Sequence, residues 1–179
     1  MLRSVVVYRS ISGFTRKYAE WIAQDLKADI FDVRDVNLEK LSGYDLIIFG
    51  GSVHIVGING IKIIKENLQG LSDKRIVIFA VGASPPREST LNEIRDSNFS
   101  QEQQRNLTFY YLRGGFDFNK LDFTNKILMT FLKAKLKLKR ERNRSPDEIG
   151  MLAAYSKPMD WTKKEKIKGI VDYVRSLAQ

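Results

Sequence analysis

Ser10, Ser12 and Thr15 bring three hydroxyls into one short stretch, Tyr8-Arg9-Ser10-Ile11-Ser12-Gly13-Phe14-Thr15. Hydroxyls interleaved with a glycine, together with the backbone N–H groups of a turn, hold an oxyanion by donating hydrogen bonds to it. What is missing narrows the anion. No Gly-Lys-Ser/Thr ending follows, so no lysine reaches toward a triphosphate, and there is no G-x-G-x-x-G for a pyrophosphate. The chemistry that suits such a loop is the binding of one phosphate monoester. A plainer reading also stands, in which this is an ordinary turn with Ser12 or Thr15 capping a helix. Groups for covalent or metal chemistry are scarce. There is no cysteine and His54 is the only histidine. Thiolate nucleophiles, disulfides, iron–sulfur clusters and His-rich metal sites are thereby excluded, and no metal site is expected.

The stretch sits where a strand should hand over to a helix. Val5-Val6-Val7 is a continuous apolar run, and Tyr18, Ala19, Ile22, Ala23 and Leu26 follow with helical spacing. The helix N-terminus adds unpaired N–H groups and the positive end of its dipole. Further strands are predicted at Ile30–Val33, Asp45–Phe49, Arg75–Val81 and Thr108–Leu112, after a first one at Ser4–Tyr8. Helical stretches fall between them near Thr15–Lys27, Gly60–Leu68 and Glu88–Asp96. Leu46–Phe49 and Ile76–Val81 are unbroken apolar runs, as suits strands covered on both faces of a parallel sheet. The expectation is an α/β fold with a doubly wound five-stranded parallel sheet in the order 2-1-3-4-5. Thr162-Lys163-Lys164-Glu165 predicts a capping box for a last helix with the apolar stripe Ile167, Ile170, Val171, Val174 and Leu177.

In such sheets ligands bind beyond the carboxyl ends of the strands, at the switch in strand order. Three loops should meet there: the hydroxyl loop, Gly50–Gly57 after strand three, and Gly82–Arg87 after strand four. The hydroxyl loop resembles the phosphate loop of flavodoxins, with Ser10, Ser12, Gly13 and Thr15 in the hydroxyl–x–hydroxyl–Gly–x–Thr places. The resemblance implies FMN. Its phosphate would lie on Ser10, Ile11, Ser12, Gly13, Phe14 and Thr15, and its ring between Gly51, Ser52, Val53, His54 on one side and Gly82, Ala83, Ser84 on the other. His54 is read as a flavin or substrate contact rather than a catalytic base, or as an exposed loop residue; the flavin would carry the chemistry. These loops lack the Trp or Tyr with which flavodoxins often sandwich the ring, and that implies a more open ring face.

The net charge of +9 is concentrated: nine Lys/Arg against two acids lie between Asn119 and Arg144. This segment belongs to a surplus stretch, 116–161, placed before the last helix. From Leu121 to Arg140 it can be wound as a helix, with Phe123, Ile127, Phe131, Ala134 and Leu138 in one stripe, widened by Leu128, Leu132 and Leu136. Lys126, Lys133, Lys137 and Arg140 align beside it. Lys133–Lys139 also alternates strictly, as a strand would. Four roles are open for the stretch: contact with an anionic membrane surface, packing on the core with a solvated basic face, an acidic partner, or nucleic acid. Nucleic acid ranks last because no aromatic platform accompanies the charge.

A flavodoxin core with this insertion and Asp160-Trp161 before the last helix resembles the menaquinone-dependent protoporphyrinogen dehydrogenases, over Ser10–Thr15, Gly114–Leu138 and Asp160-Trp161. That resemblance implies an FMN oxidoreductase working between a porphyrinogen-like aromatic molecule and a membrane quinone. The alternatives are a flavodoxin-type electron carrier between redox proteins, and a non-redox regulatory module that binds anionic partners. One domain over 1–179 is expected, in the cytoplasm or peripheral to the inner face of the membrane. No signal-peptide layout and no run of roughly 18 apolar residues argues otherwise.

Overall fold

The unbroken apolar runs become the middle strands of one sheet. The computed structural model describes residues 2–120 and 123–177. Strand β1 (Ser4–Arg9) is flanked by β2 (Asp29–Asp32) and β3 (Leu46–His54); a two-residue β4 (Gly57–Ile58) turns back on β3; β5 (Arg75–Gly82) and β6 (Leu107–Arg113) complete the sheet. The order is β2-β1-β3-β5-β6, with β4 attached to β3 off this path. All pairs on the path are parallel, in a register that aligns Val6 with Ile48, Ile48 with Val77 and Val77 with Thr108. The five expected strands thus keep the expected order. The small antiparallel β4 makes the sheet six-stranded.

Alternate residues of the central strands feed two cores, because side chains switch face at every step. Val6, Leu46, Ile48, Val77, Phe79 and Val81 pack with Tyr18, Ala19, Ile22 and Ala23 of α1 (Phe14–Leu26) and with Ile167, Ile170, Val171 and Val174 around the last helix. Val5, Val7, Ile47, Phe49, Ile78 and Ala80 face the other way. Their cover is Leu41 of α2 (Leu38–Ser42), Ile64 of α3 (Lys62–Lys65), Leu71, and Ile94 of α4 (Glu88–Asn98). Each fully buried aliphatic side chain contributes about 1.5–3 kcal/mol. Covering both faces forces the chain to cross over the sheet, and so places every β-to-α loop at the same end.

Several boundaries differ from the sequence reading. The third strand does not end at Phe49 but runs through Gly50 and Gly51 to His54. A Cβ on Gly50 would sit 2.0 Å from the Phe79 ring, and one on Gly51 would sit 2.2 Å from Ile58. Here the paired glycines serve close packing inside the strand rather than a turn. The helix expected over Gly60–Leu68 contracts to α3, where Asn67 Nδ2 donates to Ile63 O at 2.8 Å and competes for the carbonyl a longer helix would use. The capping box at Thr162 does not form. Thr162 gives both its N–H (2.8 Å) and its hydroxyl (2.6 Å) to Asp160 Oδ1, a carboxylate two residues upstream. A 3-10 turn at Lys164–Ile167 follows instead.

After α5 (Gln101–Gln104) and β6, the chain enters the surplus stretch through β7 (Gly115–Phe116) and leaves it through β8 (Met159–Asp160), an antiparallel pair that clasps its two ends. Between them lie α6 (Phe123–Leu138) and α7 (Pro146–Ala154), ahead of α8 (Lys168–Ser176). The expected start at Leu121 and the side chain of Phe123 lie outside the described residues. Lys133–Lys139 is helical up to Leu138, which removes the strand alternative. Helix α6 ends on Arg144, whose Nε donates to Leu136 O and whose Nη2 donates to Lys137 O, each at 3.0 Å. Helix α7 begins with a Ser145–Glu148 capping box, whose signature is present in the sequence. No helix among the described residues is long and apolar enough to cross a membrane.

Candidate functional site

The hydroxyl loop closes at the mouth of α1. Ser10 Oγ accepts from Gly13 N at 3.1 Å, and Gly13 takes φ +92°, a conformation open to glycine with little cost. Nothing lies within 4 Å of where a Cβ would stand. Gly13 occupies the N-cap position without any side-chain cap, so the first amides of α1 are left for a ligand. Neither Ser12 nor Thr15 is the cap. Thr15 is 1% exposed, and its hydroxyl is a buried polar atom without a hydrogen-bond partner among the described residues. An unpaired buried hydroxyl costs about 1–3 kcal/mol, which a bound phosphate oxygen would offset.

From this cradle a cavity of about 560 Å³ runs across the strand ends. Its walls include Ile11, Ser12, Phe14 and Thr15 from the first loop, and Ser52, Val53, His54 and Ile55 from the end of β3. Gly82 and Ala83 close the end of β5. The three expected loops therefore meet. Ser10 and Gly13 shape the first loop from behind rather than line the cavity. Ser84 faces a smaller neighbouring pocket. Gly51 does not reach the cavity, because its open side is taken by Ile58 and Asn59.

The second and third walls are held by specific bonds. Asn59 Nδ2 donates to Ser52 O (2.8 Å) and Oγ (3.0 Å). Buried Asn98, on α4, accepts from Ile58 N at 3.1 Å and donates to Val56 O at 2.7 Å. Between these anchors Ile55 projects, 77% exposed and at φ +58°. Tyr111 lies against Gly82, where a Cβ would come within 2.5 Å of its oxygen, and its hydroxyl donates to Ser84 O at 3.0 Å. Burial pushes the Tyr111 pKa up to about 12 despite that bond, so the phenol stays a donor.

The fourth wall was not read from the sequence. Gly114, Gly115 and Phe116 supply its floor, and Leu128, Met129 and Leu132 of α6 with Met151 of α7 form a cover. A second glycine pair at the end of a strand was the available signal for the floor. A Cβ on Gly115 would strike the Phe14 ring at 2.4 Å. On α6 Leu128, Met129 and Leu132 line the cavity, Leu128 while still 43% exposed, and Leu136 is buried. Ile127, Phe131 and Leu138 do not line it and are exposed at 44%, 72% and 87%. Apart from His54, no titratable side chain among the described residues lines the main cavity. Among the described residues no cluster could hold a metal ion.

A parallel α/β sheet with a phosphate cradle and a cavity at its switch point defines a class of cofactor-binding proteins. This chain belongs to the flavodoxin-domain family, whose model matches residues 5–145. No curated protein matches its sequence. Among solved structures it is similar to oxidised flavodoxin 1 from Bacillus cereus (16% identity, 62% of this chain and 84% of that one, TM-score 0.47). It is similar too to the Trp repressor binding protein from Bacillus subtilis (21%, 63% and 83%, TM-score 0.47). A third similar structure is a Lactobacillus acidophilus flavoprotein in complex with FMN (21%, 63% and 93%, TM-score 0.40). The cofactor is FMN. The family carries it, and the uncapped α1 terminus with the unpaired Thr15 hydroxyl fits its single phosphate.

Proposed function

We propose that this chain, as one flavin-binding domain over 1–179, is an FMN-dependent oxidoreductase that exchanges electrons with a flat aromatic molecule, porphyrinogen-like or quinone. The observation that carries the reading is the cover. The cavity of about 560 Å³ is bounded on one side by Leu128, Met129, Leu132 and Met151, which make that side an apolar chamber. A carrier that passes electrons between proteins exposes its cofactor edge and has no use for such a chamber. Bound FMN supplies the electron transfer; the chain's residues hold, orient and desolvate. Ser12, Thr15 and the α1 amides fix the phosphate. The Asn98-anchored hairpin and the Tyr111-anchored turn hold the walls beside the ring. The apolar cover excludes water from the reacting faces, which strengthens every polar contact inside.

A second part of the proposal concerns place. Exposed Ile127, Phe131 and Leu138 on α6, next to Lys126, Lys137 and Arg140, support docking at an anionic membrane surface, where a lipid-soluble quinone would be met. The absorption spectrum of the purified protein tests the cofactor. Stopped-flow mixing of the reduced protein with 2-methyl-1,4-naphthoquinone and, separately, with cytochrome c tests the role. Fast transfer to the quinone is expected. Fast transfer to the protein with slow transfer to the quinone would sink the enzyme reading and favour an electron carrier.

A further inference from the structure

A side pocket opens off the main cavity at the end of β6. It measures about 160 Å³ and shares Ala83, Phe116 and Met151 with the larger chamber. Its distinguishing residues are Arg113 and Trp161. The Arg113 guanidinium carbon lies 4.1 Å from the Trp161 ring centroid. Its Nε donates to Ala83 O at 3.1 Å. The backbone around it is fixed as well: Tyr18 Oη donates to Arg113 O at 2.8 Å, and Trp161 N donates to Gly114 O at 2.9 Å. Ring stacking and one bond to a carbonyl lock the plane of the fork. Neither uses its terminal nitrogens, and among the described residues no carboxylate forms an ion pair with it.

A planar cation held flat in a half-buried recess, with its donors left over, is matched to a carboxylate by charge and by geometry. The recess, of about 160 Å³, has room for a carboxylate arm. We propose that Arg113 on Trp161 is a specificity subsite for a carboxylate arm of the substrate, whose aromatic body occupies the adjoining chamber. This rests on the oxidoreductase reading and narrows it. The preferred partner at the covered face is an aromatic acid, and an uncharged quinone uses the chamber without the subsite.

The experiment compares 1-naphthalenepropionic acid with its methyl ester, binding to the FMN-loaded protein by calorimetry. The acid should bind about tenfold tighter than the ester, the expected worth of a charge-assisted bond. Arg113→Gln should bring the two to the same affinity, and Arg113→Lys should keep part of the difference. Fluorescence of Trp161 in a Trp21→Phe background should respond to the acid more than to the ester. Equal binding of acid and ester to the unaltered protein overturns the proposal, as does no binding of the acid at millimolar concentration. A preference that survives in Arg113→Gln overturns it too. If that variant does not fold by circular dichroism, the acid–ester comparison on the unaltered protein and on Arg113→Lys decides. Absence of flavin from the purified protein is a separate failure, that of the oxidoreductase reading; it shows in the absorption spectrum before any acid is added.

Discussion

Thr15 shows how one side chain separates stability from binding. Its hydroxyl is buried and unpartnered, so it works against the ligand-free fold and for the loaded one. Thr15→Val keeps the shape and removes the polar atom. The ligand-free variant should gain about 1 kcal/mol in urea unfolding, while FMN binds about 1–3 kcal/mol more weakly by fluorescence titration. Ser12→Ala should weaken FMN without the gain, since Ser12 is not a buried unpaired group. Unchanged FMN affinity in both variants would remove the loop from the site. Tyr111 gives a second prediction, in alkali. Its pKa is about 12 in the fold against an ordinary value near 10. As pH rises from about 10 the unfolded chain releases this proton first, so it binds fewer protons and stability falls until the folded pKa is passed. Tyr111→Phe loses the bond to Ser84 O, and its deficit at neutral pH should shrink between pH 10 and 12, read by denaturant midpoints. At this scale the hydroxyl loop was legible as a strand-to-helix turn, because an apolar run precedes it and a helical stripe follows it. Gly51 stands inside β3 rather than in the loop expected after it, since a glycine needed for close packing and one needed for a turn look alike in a string of letters.

At the scale of elements, the walls of the cavity are set by bonds from distant segments, and those were not legible. The hairpin of β3 and β4 depends on Asn98, forty residues beyond Ile58 along the chain. Asn98→Ala leaves Ile58 N and Val56 O without their partner. It should cost about 1–3 kcal/mol, the penalty for stranding buried groups, and should loosen FMN binding as well. Ile55, at φ +58°, carries the opposite sign: Ile55→Gly should raise stability by up to about 1 kcal/mol by relieving the left-handed strain of a branched residue. Hydrogen exchange of residues 53–58 should quicken in the first variant; an unaltered loop in Asn98→Ala would mean that β3 alone carries it. Helix α6 teaches a related lesson. Its periodicity was visible, but Ile127–Phe131–Leu138 and Leu128–Leu132–Leu136 are equally apolar, and only the position of α6 over the strand ends chooses the second as the inward face. The parallel sheet, by contrast, was legible almost in full, because continuous apolar runs admit few arrangements once both faces must be covered.

For the whole molecule, the uneven charge is the feature the sheet does not explain. Most of the excess sits on the stretch that also exposes Phe131 and Leu138. Not all of these cations are available to a partner. Lys133 Nζ lies 5.1 Å from the Tyr155 ring centroid, and Lys139 Nζ is 2.9 Å from Glu148 Oε2. Lys126, Lys137 and Arg140 enter no ion pair among the described residues. Each such cation near an anionic membrane contributes about 1 kcal/mol, so three together amount to roughly a hundredfold in affinity. Phe131 adds its own apolar burial if it inserts. Binding to vesicles rich in phosphatidylserine should therefore be measurable at low salt and fall steeply as salt rises, because surface charge is screened beyond a Debye length. Lys126→Glu, Lys137→Glu and Arg140→Glu combined should abolish it, and Phe131→Asp alone should weaken it at every salt concentration. In both variants the flavin spectrum should be unaltered, since none of these residues lines the cavity. Vesicle binding indifferent to salt and to all four changes would rule out this face as the docking surface, and α6 would then be a cover for the site whose outward lysines do no more than keep an apolar helix in solution.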